Sequence, residues 1–169
     1  MPREGPVRNL GIMSKYATAE RSDRAGLEGF LRPRHRAVLI TRRSSGGLQS
    51  SPVTCGVDSE GRLVVATYPQ RAKVTNIRRD PAVSVCVLSD EFNGPYVHLD
   101  GTAEIVDLPE ALEPLVEYFR SVAGEHDDWD EYRAAMMRQG KCLIRVAIDD
   151  WGPIATGGFP PEMAPPTDS

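Results

Sequence analysis

The segment of this sequence best suited to chemistry runs from Thr67 to Pro81. It places the end of a predicted strand, a tight loop and the start of a predicted helix in succession. Backbone N–H groups and the helix dipole at that start favour an anionic ligand. Arg71 offers a planar fork suited to phosphate oxygens, Lys73 offers a point charge, and Asn76 follows one turn later. Charge alone is equally compatible with a solvated basic helix.

Alternating apolar residues predict the strands that position this segment. The turn sequences 44–47 and 58–61 separate consecutive apolar runs, so the strands on either side form antiparallel hairpins. The predicted strands cover residues 36–43, 48–57, 62–67, 82–88, 97–105 and 141–148. The strand over 82–88 is apolar on both faces, which predicts a central place in the sheet, whereas the strand over 97–105 has one apolar and one polar face.

Helical spacing predicts four helices around these strands, over residues 18–32, 70/71–79, 107–123 and 127/128–138. Asp107 and Glu110 are spaced as a capping box for the third helix. Pro114 predicts a kink or a restart of that helix near Glu113. Six strands in mostly hairpin order, with helices between them, predict an antiparallel barrel that is closed or nearly closed.

Length and composition indicate one folded domain. The chain has 169 residues and a mass of 18.6 kDa, with 40 % hydrophobic and 26 % charged residues, as in ordinary globular proteins. We assign residues 18–159 to a single domain, 1–17 to a flexible N-terminal arm and 160–169 to a proline-rich tail. The net charge of −4 argues against a nucleic-acid partner. Without a long apolar run or a signal-peptide core, we expect a cytoplasmic protein with no membrane contact.

The remaining reactive side chains predict neither disulfides nor a metal site. Cys55, Cys86 and Cys142 are odd in number and lack CxxC spacing, so we expect reduced and mostly buried thiols. The acidic group within 125–131 is better explained by a helix N-terminus than by a bound cation, because Asp128 is placed to cap that helix.

Several motifs in a fixed order resemble those of a known family. They are Arg-Ala-Lys at 71–73, Asn-Ile-Arg-Arg-Asp-Pro at 76–81, Leu-Asp-Gly-Thr-Ala-Glu at 99–104, Gln-Ser-Ser-Pro-Val at 49–53, and the segments 118–120 and 123–133. Together they resemble the deazaflavin-dependent branch of the pyridoxamine 5′-phosphate oxidase-like split-barrel family. The resemblance implies a mainly β fold with flanking helices (α+β), namely a six- to seven-stranded antiparallel split β-barrel like that of FMN-binding proteins.

The resemblance also implies a homodimer that binds coenzyme F420, a hydride-carrying 5-deazaflavin, in a cleft between the subunits. Arg71, Ala72 and Lys73 match the segment that holds the cofactor phosphate, and Asn76 matches the polar residue beside it. Tyr96 matches the place where the second subunit approaches the cofactor.

Two strand segments complete the implied cofactor site. The strand end that leads into the phosphate loop is matched by Thr67 and Tyr68. The strand that runs along the deazaflavin ring is matched by Gln49, Ser50, Ser51 and Pro52. No catalytic residue is assigned, because hydride chemistry belongs to the cofactor. The proton source stays open among Tyr68, Tyr96, an arginine and solvent.

The predicted function is a reductase that transfers hydride from reduced F420 to a small conjugated or quinone-like acceptor. Two alternatives keep the same fold, because phosphate recognition alone does not identify the cofactor. One is an FMN-binding flavoprotein of the pyridoxamine-phosphate-oxidase type. The other is a non-catalytic F420 carrier or sequestering protein.

Overall fold

The strands and helices expected from the sequence are largely present in the computed structural model, which describes residues 16–166. The strands are β1 (Thr18–Glu20), β2 (Arg36–Arg42), β3 (Leu48–Thr54), β4 (Gly56–Val57), β5 (Leu63–Thr67), β6 (Ala82–Leu88), β7 (Val97–Val106), β8 (Cys142–Trp151) and β9 (Ile154–Thr156). The helices are α1 (Arg24–Leu31), α2 (Ala72–Arg79), α3 (Leu112–Ala123) and α4 (Trp129–Gln139), and a 3-10 turn spans Pro161–Met163.

Seven of these strands form one antiparallel sheet in the order β3-β2-β6-β7-β8-β5-β4. Its two outermost strands, β3 and β4, follow each other in the chain with only Cys55 between them, so the sheet curls until its edges approach. The result is a split β-barrel, which confirms the predicted fold class. β6 lies between β2 and β7, as its two apolar faces predicted. The single strand predicted over 48–57 is two strands, because the chain changes partner from β2 to β5 at Cys55.

The main core fills the inside of the curled sheet. β7 alternates buried and exposed residues from Val97 to Glu104, as predicted for a two-faced strand. Val74 and Ile77 of α2 pack against this inner face together with apolar residues of α1. A second, smaller core lies outside β5 and β8, where Val64 and Leu143 pack against α3 and α4.

The first predicted helix, over residues 18–32, was wrong in its first part. Thr18–Glu20 form β1 instead, and the Thr18 and Thr156 hydroxyls lie 2.7 Å apart across the pair of β1 with β9. α1 begins only after Asp23, whose carboxylate accepts the Gly26 N–H at 2.8 Å. Aspartate is a preferred N-cap because its side chain satisfies a free N–H of the first helical turn.

The two ends of the described chain run side by side. β1 and β9 pair over three residues each, and Ala17 N–H donates to the Phe159 carbonyl at 2.8 Å. Tyr16 also bridges to Phe159, so the last two residues assigned to the N-terminal arm are paired with the segment before the tail. The rest of the assigned arm, residues 1–15, and the end of the tail, residues 167–169, lie outside the described residues.

The third helix starts later than predicted. α3 begins at Leu112, and the Asp107 carboxylate accepts two bonds from Arg78, at 2.7 and 2.8 Å, instead of capping a helix. The predicted capping box was therefore wrong, and in place of the predicted kink or restart near Glu113 the helix begins at Leu112, one residue before it. Pro114 is the third residue of α3 and lies in its first turn, where an N–H has no helical partner to lose.

The three cysteines are free, and two of them are buried. This confirms the prediction of reduced, mostly buried thiols. Burial raises the pKa of Cys55 to about 12 and that of Cys142 to about 11, so both thiols stay protonated near neutral pH. They serve as small apolar core residues.

Truncating Ile77, which is 2 % exposed on α2, should destabilise the barrel. Ile77→Ala removes buried methyl groups and leaves a cavity, so we expect the free energy of unfolding to fall by about 2–4 kcal/mol in urea titrations. Thr75→Ala, at an exposed position of the same helix, is the control and should change it by less than about 0.5 kcal/mol. Equal losses in the two variants would contradict this packing of α2.

Candidate functional site

The candidate site begins where β5 ends. Thr67 is 6 % exposed and lies opposite Cys142 in the ladder between β5 and β8. The Tyr68 hydroxyl lies 3.5 Å from Gln139 Oε1, and the Lys141 ammonium lies 5.1 Å from the centre of the Tyr68 ring. Thr67 therefore belongs to the buried wall of the barrel, whereas Tyr68 joins a partly exposed polar group near α4.

The first turn of α2 follows directly and has no side-chain cap. Arg71 is the N-cap, in extended geometry, and its carbonyl accepts the Val74 N–H at 2.9 Å. Arg71 and Ala72 are both exposed. The free N–H groups of this turn and the positive end of the helix dipole are thus open to an anion, as the sequence predicted.

Two cations stand at this turn without a counter-charge. Within residues 16–166, neither Arg71 nor Lys73 forms an ion pair, whereas Arg78 at the other end of α2 is paired with Asp107. Burial, and then the charge of Arg71, lower the pKa of Lys73, and Cys142 offsets this only in part. The negative charge of a bound anion would oppose the repulsion from Arg71 and would favour the charged form of Lys73.

Asn76 is 6 % exposed and fixes α2 to the sheet. Its side-chain N–H groups donate to Thr41 Oγ1 at 3.0 Å and to Gln49 Oε1 at 2.9 Å, and its oxygen accepts from Arg79 at 3.1 Å. Both ends of the amide are therefore used within the protein. Asn76 positions α2 against β2 and β3, one turn away from the cations at the helix start.

The four residues of β3 that were predicted to run along the cofactor ring are divided between the two faces of the strand. Gln49 and Ser51 are half-buried on the face toward α2, where Gln49 meets Asn76. Ser50 and Pro52 alternate with them and are exposed on the opposite face. The structure therefore brings Gln49 and Ser51, but not the side chains of Ser50 and Pro52, to the same side as α2.

Tyr96 lies at the other end of the barrel. It precedes β7 and exchanges two backbone hydrogen bonds with Ala155, at 2.9 and 3.0 Å. The loop after α2 meets β7 at Ala103, whose N–H donates to the Pro81 carbonyl. Tyr96 and Ala103 are seven steps apart along an extended segment, a span of roughly 20 Å. Tyr96 thus lies well away from the point where the loop after α2 meets β7.

The sequence interpretation missed the residues that anchor Asn76. Thr41 is 1 % exposed and occupies the inner face of β2, in line with the apolar residues Ala37 and Leu39. A polar residue at such a position needs a buried partner, and that alternation was a usable signal. Arg79 is three residues after Asn76 on the same helix, a spacing that brings the two side chains together, whereas its second bond, to the Arg42 carbonyl, depends on how α2 is docked.

Metal chemistry has no evident place in the described part of the chain. No group of three or more His, Cys, Asp or Glu side chains between residues 16 and 166 is arranged to hold a metal ion. Asp128, in the acidic segment before α4, accepts the N–H groups of Asp130 and Glu131, both at 3.0 Å, and so caps α4 as predicted.

Among residues 16–166, no helix is long and apolar enough to cross a membrane.

Comparison with known proteins identifies the family. The family model described as pyridoxamine 5′-phosphate oxidase matches residues 25–155, which cover most of the chain and all the residues of the candidate site. The chain belongs to the pyridoxamine 5′-phosphate oxidase family. This family comprises oxidoreductases that bind flavin-type cofactors, and membership confirms the family predicted from the sequence motifs.

Several solved structures have a similar fold. The conserved hypothetical protein Rv2991 from Mycobacterium tuberculosis is 24 % identical with a TM-score of 0.65, over 79 % of this chain and 88 % of that one. An F420 reductase is 22 % identical with a TM-score of 0.56, over 73 % and 94 %. An FAD-binding protein from Mesorhizobium loti is 15 % identical with a TM-score of 0.57, over 83 % and 97 %. At these identities the likeness shows the fold that the family shares.

Anion binding at α2 should weaken as pH rises, because Lys73 loses its charge at a pH below the usual range for lysine. Sulfate, whose own charge is constant, is the probe for titrations between about pH 7 and 10. We expect its affinity for the wild-type protein to fall over this interval. Lys73→Arg keeps its charge throughout and should bind sulfate with nearly constant affinity. An identical pH dependence in both proteins would contradict the role of Lys73.

Proposed function

We propose that this protein is an oxidoreductase that binds coenzyme F420 and transfers hydride from its reduced form to a small conjugated or quinone-like acceptor. One observation carries the proposal: α2, whose start is cationic, uncapped and unpaired, is joined to the polar face of β3 by the hydrogen bond from Asn76 to Gln49. A cofactor with a phosphate next to a ring system would satisfy both surfaces at once. The same residues carry the motif resemblance to the deazaflavin branch.

The residues present fit a phosphorylated ring cofactor. Arg71, Lys73 and the free N–H groups of the first turn of α2 would hold the phosphate. Gln49 and Ser51 would meet the polar edge of the ring, since they lie on the face of β3 toward α2. Asn76 would act as a positioning residue, because its amide is already engaged with Gln49 and Thr41.

The chemistry requires little from the side chains beyond positioning. When bound in its reduced form, F420 supplies a hydride, and the acceptor takes up this hydride and one proton. The chain would bind the phosphate at α2, orient the ring along β3 and exclude water with the walls of the barrel. No nucleophile is needed, and the three free thiols, whose pKa values are all raised, are unsuited to be one.

The motif order favours F420 over FMN. A phosphate contact by Arg71 and Lys73 would serve either cofactor, so this preference comes from the resemblance and not from the charges. The similarity of fold to an F420 reductase agrees with a preference for F420. The similarity to an FAD-binding protein is the reason for including a flavin in the experiment below.

The proposed enzyme is a homodimer, and the outer face of β2 and β6 is its interface. Val38 and Ile40 on β2, with Cys86 and Leu88 on β6, form a half-buried apolar strip on this face. The described helices pack elsewhere, α1 and α2 inside the sheet and α3 and α4 outside β5 and β8. A shallow groove of about 580 Å³ runs beside Ile40 on the same face.

Charge and distance both favour a second copy of this chain as the partner. Arg36 and Arg42 stand at the two ends of the β2 row of the strip, where they pair with Asp90 and Asp80 of the same chain, and Asp100 and Asp149 lie on the same face across β6. The border of the strip thus carries both signs of charge, so a second copy docked by two-fold symmetry would meet complementary charges around it. Because Tyr96 lies roughly 20 Å from the part of β7 that meets the loop after α2, it would approach a cofactor only across such an interface.

Cofactor binding is tested by calorimetric titration of the purified protein with F420 and, separately, with FMN. We expect micromolar or tighter binding of F420 and much weaker binding of FMN. Lys73→Ala removes a charge-assisted phosphate contact and should cost about 1.5–3 kcal/mol, which is roughly 10- to 150-fold in affinity. Arg120→Ala, which removes an equal charge on α3, is the control and should leave the affinity unchanged.

The other outcomes of this titration decide between the alternatives. Preference for FMN would move the protein to the flavin-binding members of the family. Tight F420 binding without turnover of a panel of quinones and enones would indicate a carrier. Unchanged F420 affinity in Lys73→Ala would contradict the phosphate site at α2.

Dimerisation is tested by a charge placed in the apolar strip. Ile40→Glu should raise the dimer dissociation constant at least about tenfold in sedimentation velocity, because an unpaired carboxylate would be buried. Met137→Glu, at an exposed apolar position on α4, is the control and should not change it. A monomeric wild-type protein, or equal dimerisation of both variants, would contradict the proposed interface.

A further inference from the structure

A separate cavity opens at the end of the barrel that carries Tyr96. It has a volume of about 340 Å³ and is lined by Cys86, Leu88, Phe92, Asn93, Gly94, Tyr96, Gly157 and Gly158. This volume lies within the range of small-molecule sites, about 300–1,000 Å³. The cavity is distinct from the site at α2, with which it shares no residue.

The walls of this cavity are held by hydrogen bonds on two sides. Tyr96 is fixed by its paired backbone bonds with Ala155, which also bring the glycines at 157 and 158 alongside. The loop before Tyr96 is tied to the end of α1, because Arg34 donates to Ser89 Oγ at 3.2 Å. Within this loop the Gly94 N–H closes a turn onto the Glu91 carbonyl at 2.9 Å. The cavity is therefore preformed.

The lining determines the chemistry of a ligand. None of the eight lining residues is charged, and most of the side-chain surface in the lining is aliphatic or aromatic. Phe92 is 85 % exposed and Tyr96 is 38 % exposed, so each offers a ring surface that nothing in the described chain covers. Hydrogen bonds are available only from the Tyr96 hydroxyl, the Asn93 amide and the glycine backbones. The nearby cation Arg36, which lies opposite Leu88 in the sheet, is paired with Asp90 at 3.4 Å, so an anion would find no unpaired cation in the lining.

We propose that this cavity binds an uncharged planar ring compound, a quinone or a related conjugated ketone, stacked on Phe92 or Tyr96. Its carbonyl oxygens accept from the Tyr96 hydroxyl or the Asn93 amide. The role of this cavity as the acceptor site of the enzyme rests on the function proposed above, in which Tyr96 would face the cofactor of the partner subunit. Binding of the ring compound itself requires no cofactor, and because Cys86 and Leu88 also belong to the apolar strip of the proposed interface, the cavity lies beside that interface.

The probe is 2,3-dimethyl-1,4-naphthoquinone, whose substituted ring carbons prevent addition of the Cys86 thiol. Its binding to the protein without cofactor is measured by calorimetry and by quenching of intrinsic fluorescence. We expect saturable binding of the quinone and binding of 2-naphthoate, a charged ring of similar size, at least about tenfold weaker.

Two variants locate the binding site. A Cβ at Gly157 would meet no atom within 4 Å, and the backbone there is ordinary, so Gly157→Leu adds bulk at the cavity without strain. It should weaken quinone binding at least about tenfold. Phe92→Ala removes an exposed ring and should weaken binding about three- to tenfold. The matched control is Gly29→Leu, at an equally open position on α1, which should bind the quinone as the wild type does.

The outcomes separate this inference from the proposed function. Quinone binding that is lost in Gly157→Leu, with F420 binding intact, supports the cavity whatever the cofactor titration gives for the wild type. Absence of saturable quinone binding, or equal binding in Gly157→Leu and Gly29→Leu, overturns it even where F420 binds tightly. Binding of 2-naphthoate as tight as that of the quinone overturns the assignment of an uncharged ligand.

Discussion

A single residue, Cys55, carries the constraint on which the rest of the structure depends. The chain crosses from one edge of the seven-stranded sheet to the other at this residue, so a covalent connection holds the two edges together. Two strands joined in this way cannot belong to a flat sheet, and the barrel must curl. The same curl turns the inner face of β3 toward α2 and so brings Gln49 within reach of Asn76. The curl that closes the barrel therefore also brings together the residues of the candidate site.

The way in which α2 is attached leaves its charges available. Asn76 is neutral and anchors the helix through two hydrogen bonds to the sheet, to Thr41 and Gln49, while Val74 and Ile77 supply its apolar contact. Anchoring by an amide requires no carboxylate near the helix start. The two cations at the first turn therefore keep their capacity for a ligand, in contrast to the many arginines elsewhere that are paired with acids.

Much of the fold could be predicted because its hairpins are local. Short turns and alternating apolar residues were sufficient for the order of most strands, and the cationic character of the α2 start followed from residue types alone. What could not be predicted depends on contacts between distant residues. A helical turn was predicted where β1 forms, because β1 is stabilised by pairing with β9. The two strands are far apart in the chain: Thr18 and Thr156, which face each other, are separated by 138 positions. Asp107 failed as a cap because Arg78, from another element, binds it. For the same reason Asn76, predicted beside the phosphate, proved to be engaged with Thr41 and Gln49.

The pairing of β1 with β9 gives the molecule a region of low local stability. Its three residue pairs are mostly exposed and join segments nearly the whole chain apart, so little apolar burial offsets the entropy of bringing them together. Such a pair opens far more often than the barrel unfolds. Because Ala155 of β9 also holds Tyr96, each opening frees one wall of the cavity beside it. Fraying of these two short strands would therefore widen a cavity that is already open, and the barrel itself need not move.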